Sequence, residues 1–325
     1  MAGARPVGLV ERMEHHQVAI YLGAMAVGGI LGWLAPSAGP GLEHLINPTL
    51  GALLFVTFLQ VPAAELLRSL RDGRFLAAVL VVNFAVVPVV VAALFAFLPD
   101  DQAVRVGVLL VLLCPCVDYV IVFSGLAGAA NRRLLAATPL LLIGQMLLLP
   151  VFLYLFMGSE LADIVEVGPF LRAFLFLIGI PLALAWTVQR QSQRVSEAAT
   201  TTMVPLMALT LITVVASQIP KLDGNLTDVA PVVPCYVVFL LVIPVLGFLV
   251  ARLFRLDVPS TRAVVFTGAT RNSLVVLPLA LALPERYAAA SAMVVTQTLV
   301  EVMGMVIYVR VVPWLVPERE GVPNS

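Results

Sequence analysis

The sequence VLLCPCVDYVIVFSGLAG, residues 111–128, is the most informative about the fold. It is apolar enough to lie in a lipid bilayer, yet it places Pro115 and Asp118 near its centre. A proline inside a helix removes a backbone donor and frees carbonyl groups, and such irregular backbone is tolerated at membrane depth only where protein or a water-filled cavity surrounds it. An acidic side chain at the centre of a membrane helix costs about 2.5–3.5 kcal/mol on insertion scales, so it faces protein or water. The stretch therefore predicts a broken membrane helix beside a polar cavity.

The composition of the whole chain is that of an all-α membrane protein with almost no soluble part. Of its 325 residues, 61% are hydrophobic and 12% are charged, and the mean hydropathy is +1.04. Apolar stretches of about 17–25 residues are long enough to cross the hydrocarbon core. The sequence predicts ten such helices, at 17–35, 46–65, 75–98, 104–128, 134–157, 168–188, 199–219, 230–251, 259–283 and 288–313.

The distribution of Lys and Arg predicts how these spans are oriented. With the N-terminus in the cytoplasm, fourteen of these residues fall in inner segments and four in outer ones, and Arg271 lies inside the ninth span. Cytoplasmic loops of membrane proteins carry the excess of positive charge. We therefore expect a multi-pass protein of the cell membrane with both termini in the cytoplasm. No basic run or Gly-rich phosphate loop is present, so we expect neither a nucleic-acid partner nor a cofactor.

Ten spans divide into two sets of five, residues 1–160 and 161–325, and a unit with an odd number of spans must enter the membrane inverted when it is repeated. The stretches RVGVLLVLLCPCVDYVIV, from Arg105, and RAVVFTGATRNSLVVLPL, from Arg262, are both spans with a polar interruption at the same depth. Paired interrupted segments in the two halves of a chain indicate the solute site of a transporter.

Aligning these two stretches predicts which residues meet at that site. Cys114–Cys116 falls opposite Arg271–Ser273, so Arg271, Asn272 and Ser273 are candidate solute-binding residues. Gln145 falls within one residue of the counterpart of Glu301. Pro115 and Gly268 are predicted to break the two helices. Other residues in the spans are expected to kink helices only, namely Asn83, Pro62, Pro88, Pro150, Pro244 and Pro278.

Two cysteines flank the proline of the fourth span. Thiolates prefer soft, thiophilic ions such as trivalent arsenic or antimony, so Cys114 and Cys116 are candidate ligands for these elements. Cys235, alone in the eighth span, fits a packing role. The Cys-Pro-Cys string also resembles the metal site of heavy-metal pumps, but the chain lacks their phosphorylated Asp-Lys-Thr-Gly sequence. A membrane enzyme that used these thiols would need a nearby His base, and all three histidines lie outside the middle of the spans, so an enzyme is not expected.

Three charged residues lie deep within spans, away from the span ends. Asp118 and Arg271 are predicted to pair, since each alone is costly in the membrane. The pair is either structural or part of a proton switch. Glu301, which follows Thr296, Gln297 and Thr298 on the tenth span, is a second candidate for carrying the proton.

Three sequence elements resemble those of the arsenical-resistance permeases, a branch of the bile acid/sodium symporter superfamily. They are LCPC (113–116) with the following Ser-Gly-x-x-Gly, FTGATRNSLVVLPLALAL (266–283) and TLVEVMG (298–304). The resemblance implies two inverted five-helix repeats whose broken fourth and ninth helices cross, and alternating access between a core bundle and a panel of helices. It also implies export of arsenite, with Pro115 and Cys116 as the Pro-Cys of the fourth helix and with the Glu of the tenth helix at Glu301.

The ninth span departs from both branches of that superfamily. The arsenite permeases show Asn-Asn-x-Glu where this chain has Arg271–Leu274, and the symporters show Glu-x-Gly-x-Gln-Asn where it has Thr267–Asn272. A guanidinium there repels sodium. The prediction is therefore a secondary transporter for proton-coupled efflux of arsenite or antimonite. The alternative is a sodium- or proton-coupled symporter of an organic anion attracted by Arg271.

Overall fold

A computed structural model of the chain describes residues 12–13, 16–59, 72–116, 119–158, 175–191, 199, 201–223 and 229–317. Most of these residues are helical, because a helix satisfies every backbone N–H and C=O within its own segment in lipid. The helices are α1 (Gln17–Leu34), α2 (Gly39–Leu59), α3 (Gly73–Phe95), α4 (Gln102–Leu112), α5 (Tyr119–Leu126), α6 (Asn131–Met157), α7 (Ile180–Gln191), α8 (Met203–Asp223), α9 (Val233–Leu253), α10 (Val258–Ala269), α11 (Ser273–Leu281) and α12 (Ala289–Leu315). The chain is thus an all-α membrane protein, as predicted.

Within the described ranges, six helices are long and apolar enough to cross a membrane, or seven if the bent α6 counts as one span. The predicted fourth and ninth spans are not continuous helices. The fourth is divided into α4 and α5, and the ninth into α10 and α11. With 11 residues, α4 is about 16 Å long, roughly half of the ~30 Å hydrocarbon core. The count of ten spans and their inverted repeat stay predictions.

The chain divides into two compact units. The first contains α1, α2, α7 and α8, within Met1–Pro62 and Leu171–Gly224; the second contains the other helices, within Ala63–Phe170 and Asn225–Ser325. Each unit takes helices from both predicted repeats, 1–160 and 161–325. The units therefore do not coincide with the repeats, whose boundary stays a prediction.

In the first unit, α1 packs closely on α8 through two glycines. A Cβ atom at Gly28 would lie 2.9 Å from the carbonyl oxygen of Ile212, and one at Gly32 would lie 2.7 Å from that of Ala216. Small residues four apart allow two membrane helices to approach at backbone distance. The neighbouring Gly29 has no such contact, since nothing lies within 4 Å of a Cβ added there.

This difference predicts opposite effects for two adjacent alanine substitutions. Gly28→Ala overpacks the contact between α1 and α8, which typically costs about 1–3 kcal/mol. Gly29→Ala removes a flexible residue from a helix and is expected to be neutral or to stabilise by about 0.5–1 kcal/mol. Thermal unfolding of the two variants in detergent should therefore give a lower melting temperature for Gly28→Ala. Equal melting temperatures would contradict the packing.

The second unit encloses the divided helices. Residues 260–280, which include most of α10 and α11, are all buried. In the other divided helix, α4 packs closely on α12, since a Cβ added at Gly107 would lie 2.7 Å from the carbonyl oxygen of Ala290. The ends of the half-helices thus lie inside protein, where their free backbone groups need protein partners.

Candidate functional site

The interruption between α4 and α5 lies beside the interruption between α10 and α11. The Cys116 N–H donates to the carbonyl of Thr270 at 3.1 Å, and the Asn272 N–H donates to the carbonyl of Cys114 at 2.8 Å. These two bonds form an antiparallel bridge. We call residues 114–116 and 270–272 together the crossing. Each interruption satisfies backbone groups of the other, which is what permits non-helical backbone at this depth.

Arg271 lies in the crossing and is completely buried, with 0% of its surface exposed. Its Nη2 donates to Asn83 Oδ1 at 2.9 Å and to the carbonyls of Thr267, at 2.8 Å, and Gly268. Its Nη1 donates to the carbonyl of Leu112 at 3.3 Å. The guanidinium therefore joins the last residue of α4, the last turn of α10 and a side chain of α3.

Glu301 of α12 also binds the crossing, through both oxygens of its carboxylate. Its Oε1 accepts a hydrogen bond from the Tyr119 hydroxyl at 2.6 Å, and its Oε2 accepts one from the main-chain N–H of Arg271 at 2.8 Å. The side-chain amide of Gln297, one turn earlier, also donates to Oε2. Among the described residues the carboxylate and the guanidinium form no direct ion pair. They are connected through the backbone of Arg271.

Two thiols lie in the crossing, on either side of Pro115. Cys114 and Cys116 form no disulfide and are 0% and 1% exposed. Cys235 also forms no disulfide and is buried, but it lies in the first turns of α9. In the described ranges no three His, Cys, Asp or Glu side chains are grouped as a metal site. Any thiophilic solute would therefore meet a pair of thiols next to polar groups, rather than a cage of ligands.

Several buried polar atoms near the crossing have no hydrogen-bond partner among the described residues. They are Arg271 Nε, Asn272 Nδ2, Ser273 Oγ and Gln297 Oε1. The side-chain Nε2 and Oε1 of Gln145 in α6 are also buried and have no partner among those residues. A buried polar group left unpaired costs free energy, so such atoms in a folded protein need an explanation. These atoms are mostly donors, which suits a solute that offers oxygen acceptors.

The family of the chain can now be given. The profile of the Sodium Bile acid symporter family matches residues 47–226. This chain belongs to that family. A comparison with curated proteins gives no match. Members of the symporter family are transporters, which agrees with a site built from broken membrane helices; the family match alone does not select the arsenical-resistance branch.

The structure of this symporter-family member brings most of the predicted site residues together. Across the bridge, Pro115 lies opposite Arg271, Cys114 lies opposite Asn272, and Cys116 lies opposite Thr270. Ser273 begins α11 next to them, and Glu301 binds the main chain of Arg271. Asp118 lies outside the described residues, so its pairing with Arg271 stays a prediction.

One predicted helix break is wrong. Gly268 does not interrupt the ninth span, since α10 continues to Ala269 and the interruption follows it. The glycine is needed for packing, because a Cβ there would lie 2.5 Å from Cγ1 of Val82 and 3.2 Å from Cγ2 of Ile243. Its carbonyl, at the end of the helix, is left free to accept from Arg271.

Two residues of the site have roles that the sequence did not indicate. Asn83, expected only to kink α3, does lie in a π turn, and it also accepts from the guanidinium of Arg271. Its amide donates to the carbonyl of Val79 at 2.9 Å, which fixes the side chain. Tyr119 is the second such residue. It begins α5 directly after the interruption, and its hydroxyl joins Glu301 to the crossing.

Proposed function

We propose that the protein is a secondary transporter of the cell membrane that exports arsenite or antimonite and takes protons in exchange. Cys116 and Cys114 are the thiol ligands, and Asn272, Ser273 and the Nε of Arg271 donate to oxygens of the solute. The observation that supports this is the burial of two thiols, which form no disulfide, at a crossing of broken helices, beside donors that have no hydrogen-bond partner among the described residues. Thiolates are the ligands that soft trivalent arsenic and antimony prefer. This assignment places the chain in the arsenical-resistance branch of its family.

The alternative is a symporter of an organic anion, with which the family match is equally compatible. The surroundings of Arg271 argue against its use as the receptor for such an anion. Its Nη atoms already donate to four protein oxygens. An anion that claimed the guanidinium would have to displace them. Arsenous acid carries no net charge at neutral pH and requires no such displacement.

The coupling ion is inferred from the charges in the site. A buried guanidinium repels a sodium ion nearby, and sodium binding requires oxygen ligands that are free to coordinate it. Here the carbonyls at the ends of α4 and α10 are occupied by Arg271. Protons need no such coordination, and a buried carboxylate can take them up.

The hydrogen bonds of Tyr119 support Glu301 as the proton carrier. The Tyr119 hydroxyl lies 2.6 Å from Glu301 Oε1 and 3.2 Å from the carbonyl oxygen of Arg271. When Glu301 is ionised, the hydroxyl donates to it. When Glu301 is protonated, its own O–H donates to the tyrosine oxygen, and the tyrosine proton turns to the carbonyl of Arg271. In each protonation state, therefore, the Tyr119 hydroxyl and Glu301 Oε1 are both hydrogen-bonded. Asp118 remains a second candidate carrier.

Serine substitution of single cysteines tests the thiol assignment. Cys116→Ser keeps a side chain of similar size but removes the soft donor, so we expect it to abolish arsenite resistance in a sensitive host. Cys235→Ser is the matched control, because Cys235 is also buried in a membrane helix, and it should leave resistance nearly intact. The measurement is growth in arsenite at equal amounts of membrane protein. Full resistance of the Cys116 variant would remove arsenite as the leading solute.

A further inference from the structure

The side chain of Arg271 is surrounded by oxygen atoms that belong to three helices. Two are carbonyls of the last turn of α10, at Thr267 and Gly268, and one is the carbonyl of Leu112, the last residue of α4. The fourth is Oδ1 of Asn83 in α3. Among the described residues this set contains no acidic side chain. The guanidinium donates there to neutral oxygens, and its central carbon lies 5.6 Å from the centre of the Phe239 ring, whose face also stabilises the positive charge.

The carbonyls at the C-terminal end of a helix have no formal charge, but they carry a partial negative charge. The last four have no partner within the helix, and together they carry about half of a negative charge. In most membrane helices these ends reach water. Here α4 and α10 both end inside protein, where Leu112 is 0% and Ala269 is 0% exposed. Two partial negative charges thus meet at a place without solvent.

We propose that these four oxygens form a binding site for a monovalent cation, and that Arg271 occupies it as a cation tethered to the chain. Its first role is to neutralise the facing ends of α4 and α10, so that the crossing is stable without an ion from solution. Removing the side chain exposes the site to a small cation from the medium. The proposal does not rest on the identity of the transported solute.

The guanidinium ion is the best probe of this site. It carries the same planar set of N–H donors as the end of the arginine side chain, so it can donate to the same oxygens. Arg271→Ala leaves a space in which the free ion fits. A ligand that binds only the folded protein stabilises it by RT ln(1 + L/Kd), where L is the ligand concentration, so the melting temperature rises with that concentration.

The experiment is thermal unfolding of purified Arg271→Ala in detergent, with millimolar guanidinium, sodium or potassium chloride, and with choline chloride as the control for ionic strength. We expect the melting temperature to rise by a few degrees, with the logarithm of the ion concentration, for guanidinium or an alkali ion and not to rise for choline. Wild type should not respond, because its site is filled.

The double variant Arg271→Ala/Asn83→Leu, which lacks one oxygen ligand, should respond more weakly. Arg133→Ala, which removes a half-exposed arginine of the same unit, controls for general effects on charge and should not respond. Absence of a rise with all three small cations would overturn the proposal.

Two longer substitutions test the same idea if the alanine variant does not fold. Arg271→Lys keeps the positive charge, and Arg271→Met fills a similar space without it. The proposal predicts that the lysine variant has the higher melting temperature and the larger folded yield. A methionine variant that equals or exceeds the lysine variant would overturn it, because the arginine would then only fill space. Neither readout depends on transport, so the result is independent of the arsenite assignment.

Discussion

Glu301→Ala is expected to abolish transport and to lower strongly the amount of folded protein. The carboxylate accepts hydrogen bonds from Tyr119, from the main chain of Arg271 and from Gln297. Each buried donor left without an acceptor costs about 1–3 kcal/mol, and a folded protein is stable by only about 5–15 kcal/mol. Folded yield is measured by size-exclusion chromatography and transport in vesicles. Glu285→Gln, which changes an exposed acidic residue, should behave as wild type. A well-folded, active alanine variant would show that the carboxylate has neither role.

Tyr119→Phe separates the proton role of Glu301 from its structural role. The variant keeps the ring but removes the hydroxyl that serves both protonation states. A hydrogen bond to a charged group contributes about 1.5–3 kcal/mol, so transport should fall by about 10- to 100-fold with most of the protein still folded. The matched control is Tyr236→Phe, because the Tyr236 hydroxyl is equally buried but donates, within the described part of the chain, to the carbonyl of Met293 and to no acidic residue. Equal transport by the two variants would remove Tyr119 from the mechanism.

The second large effect is expected from Asn272→Pro. Proline deletes the N–H that donates to Cys114 across the crossing. The backbone otherwise comes near to accepting it, because φ at Asn272 is −92°, close to the range of proline. The lost bond leaves the Cys114 carbonyl buried without this donor, so we expect little folded protein and no transport.

Asn272→Ala is the control for that experiment. The Asn272 side chain accepts from the N–H of Val275 at the start of α11, and both substitutions remove this cap, which is typically worth about 0.5–2 kcal/mol. Only proline also removes the backbone bond. Alanine should therefore retain most folded protein, and the difference between the variants reports the bond between the two interruptions. If the two variants gave equal yields, the crossing would not depend on it.

The position of the crossing follows from local sequence. A proline between two cysteines, within an apolar stretch, indicates where α4 ends, because proline lacks the donor that a continuing helix needs. The polar residues Arg271–Ser273 mark the second interruption in the same way. Glu301 could be predicted as a site residue because a carboxylate within a membrane helix must face protein.

The partners of Arg271 could not be predicted, because they depend on which helices pack together. Three are backbone carbonyls, which have no signature in the sequence. The fourth, Asn83, is one amide within an apolar span, and nothing near it indicates which neighbour it faces. The predicted helix break at Gly268 is wrong for a related reason. A glycine in a span can mark either a break or a close contact between helices, and the position of Val82 in the structure shows that it marks a contact.

Transport in everted vesicles tests the central claim most directly. Vesicles that contain the wild-type protein, energised by respiration, are given arsenite, and separately a bile acid-like anion, in sodium or in potassium buffer. The account predicts that arsenite accumulates, that accumulation collapses when a protonophore is added, and that it is unchanged when potassium replaces sodium. Sodium-dependent movement of the organic anion, without movement of arsenite, would contradict it.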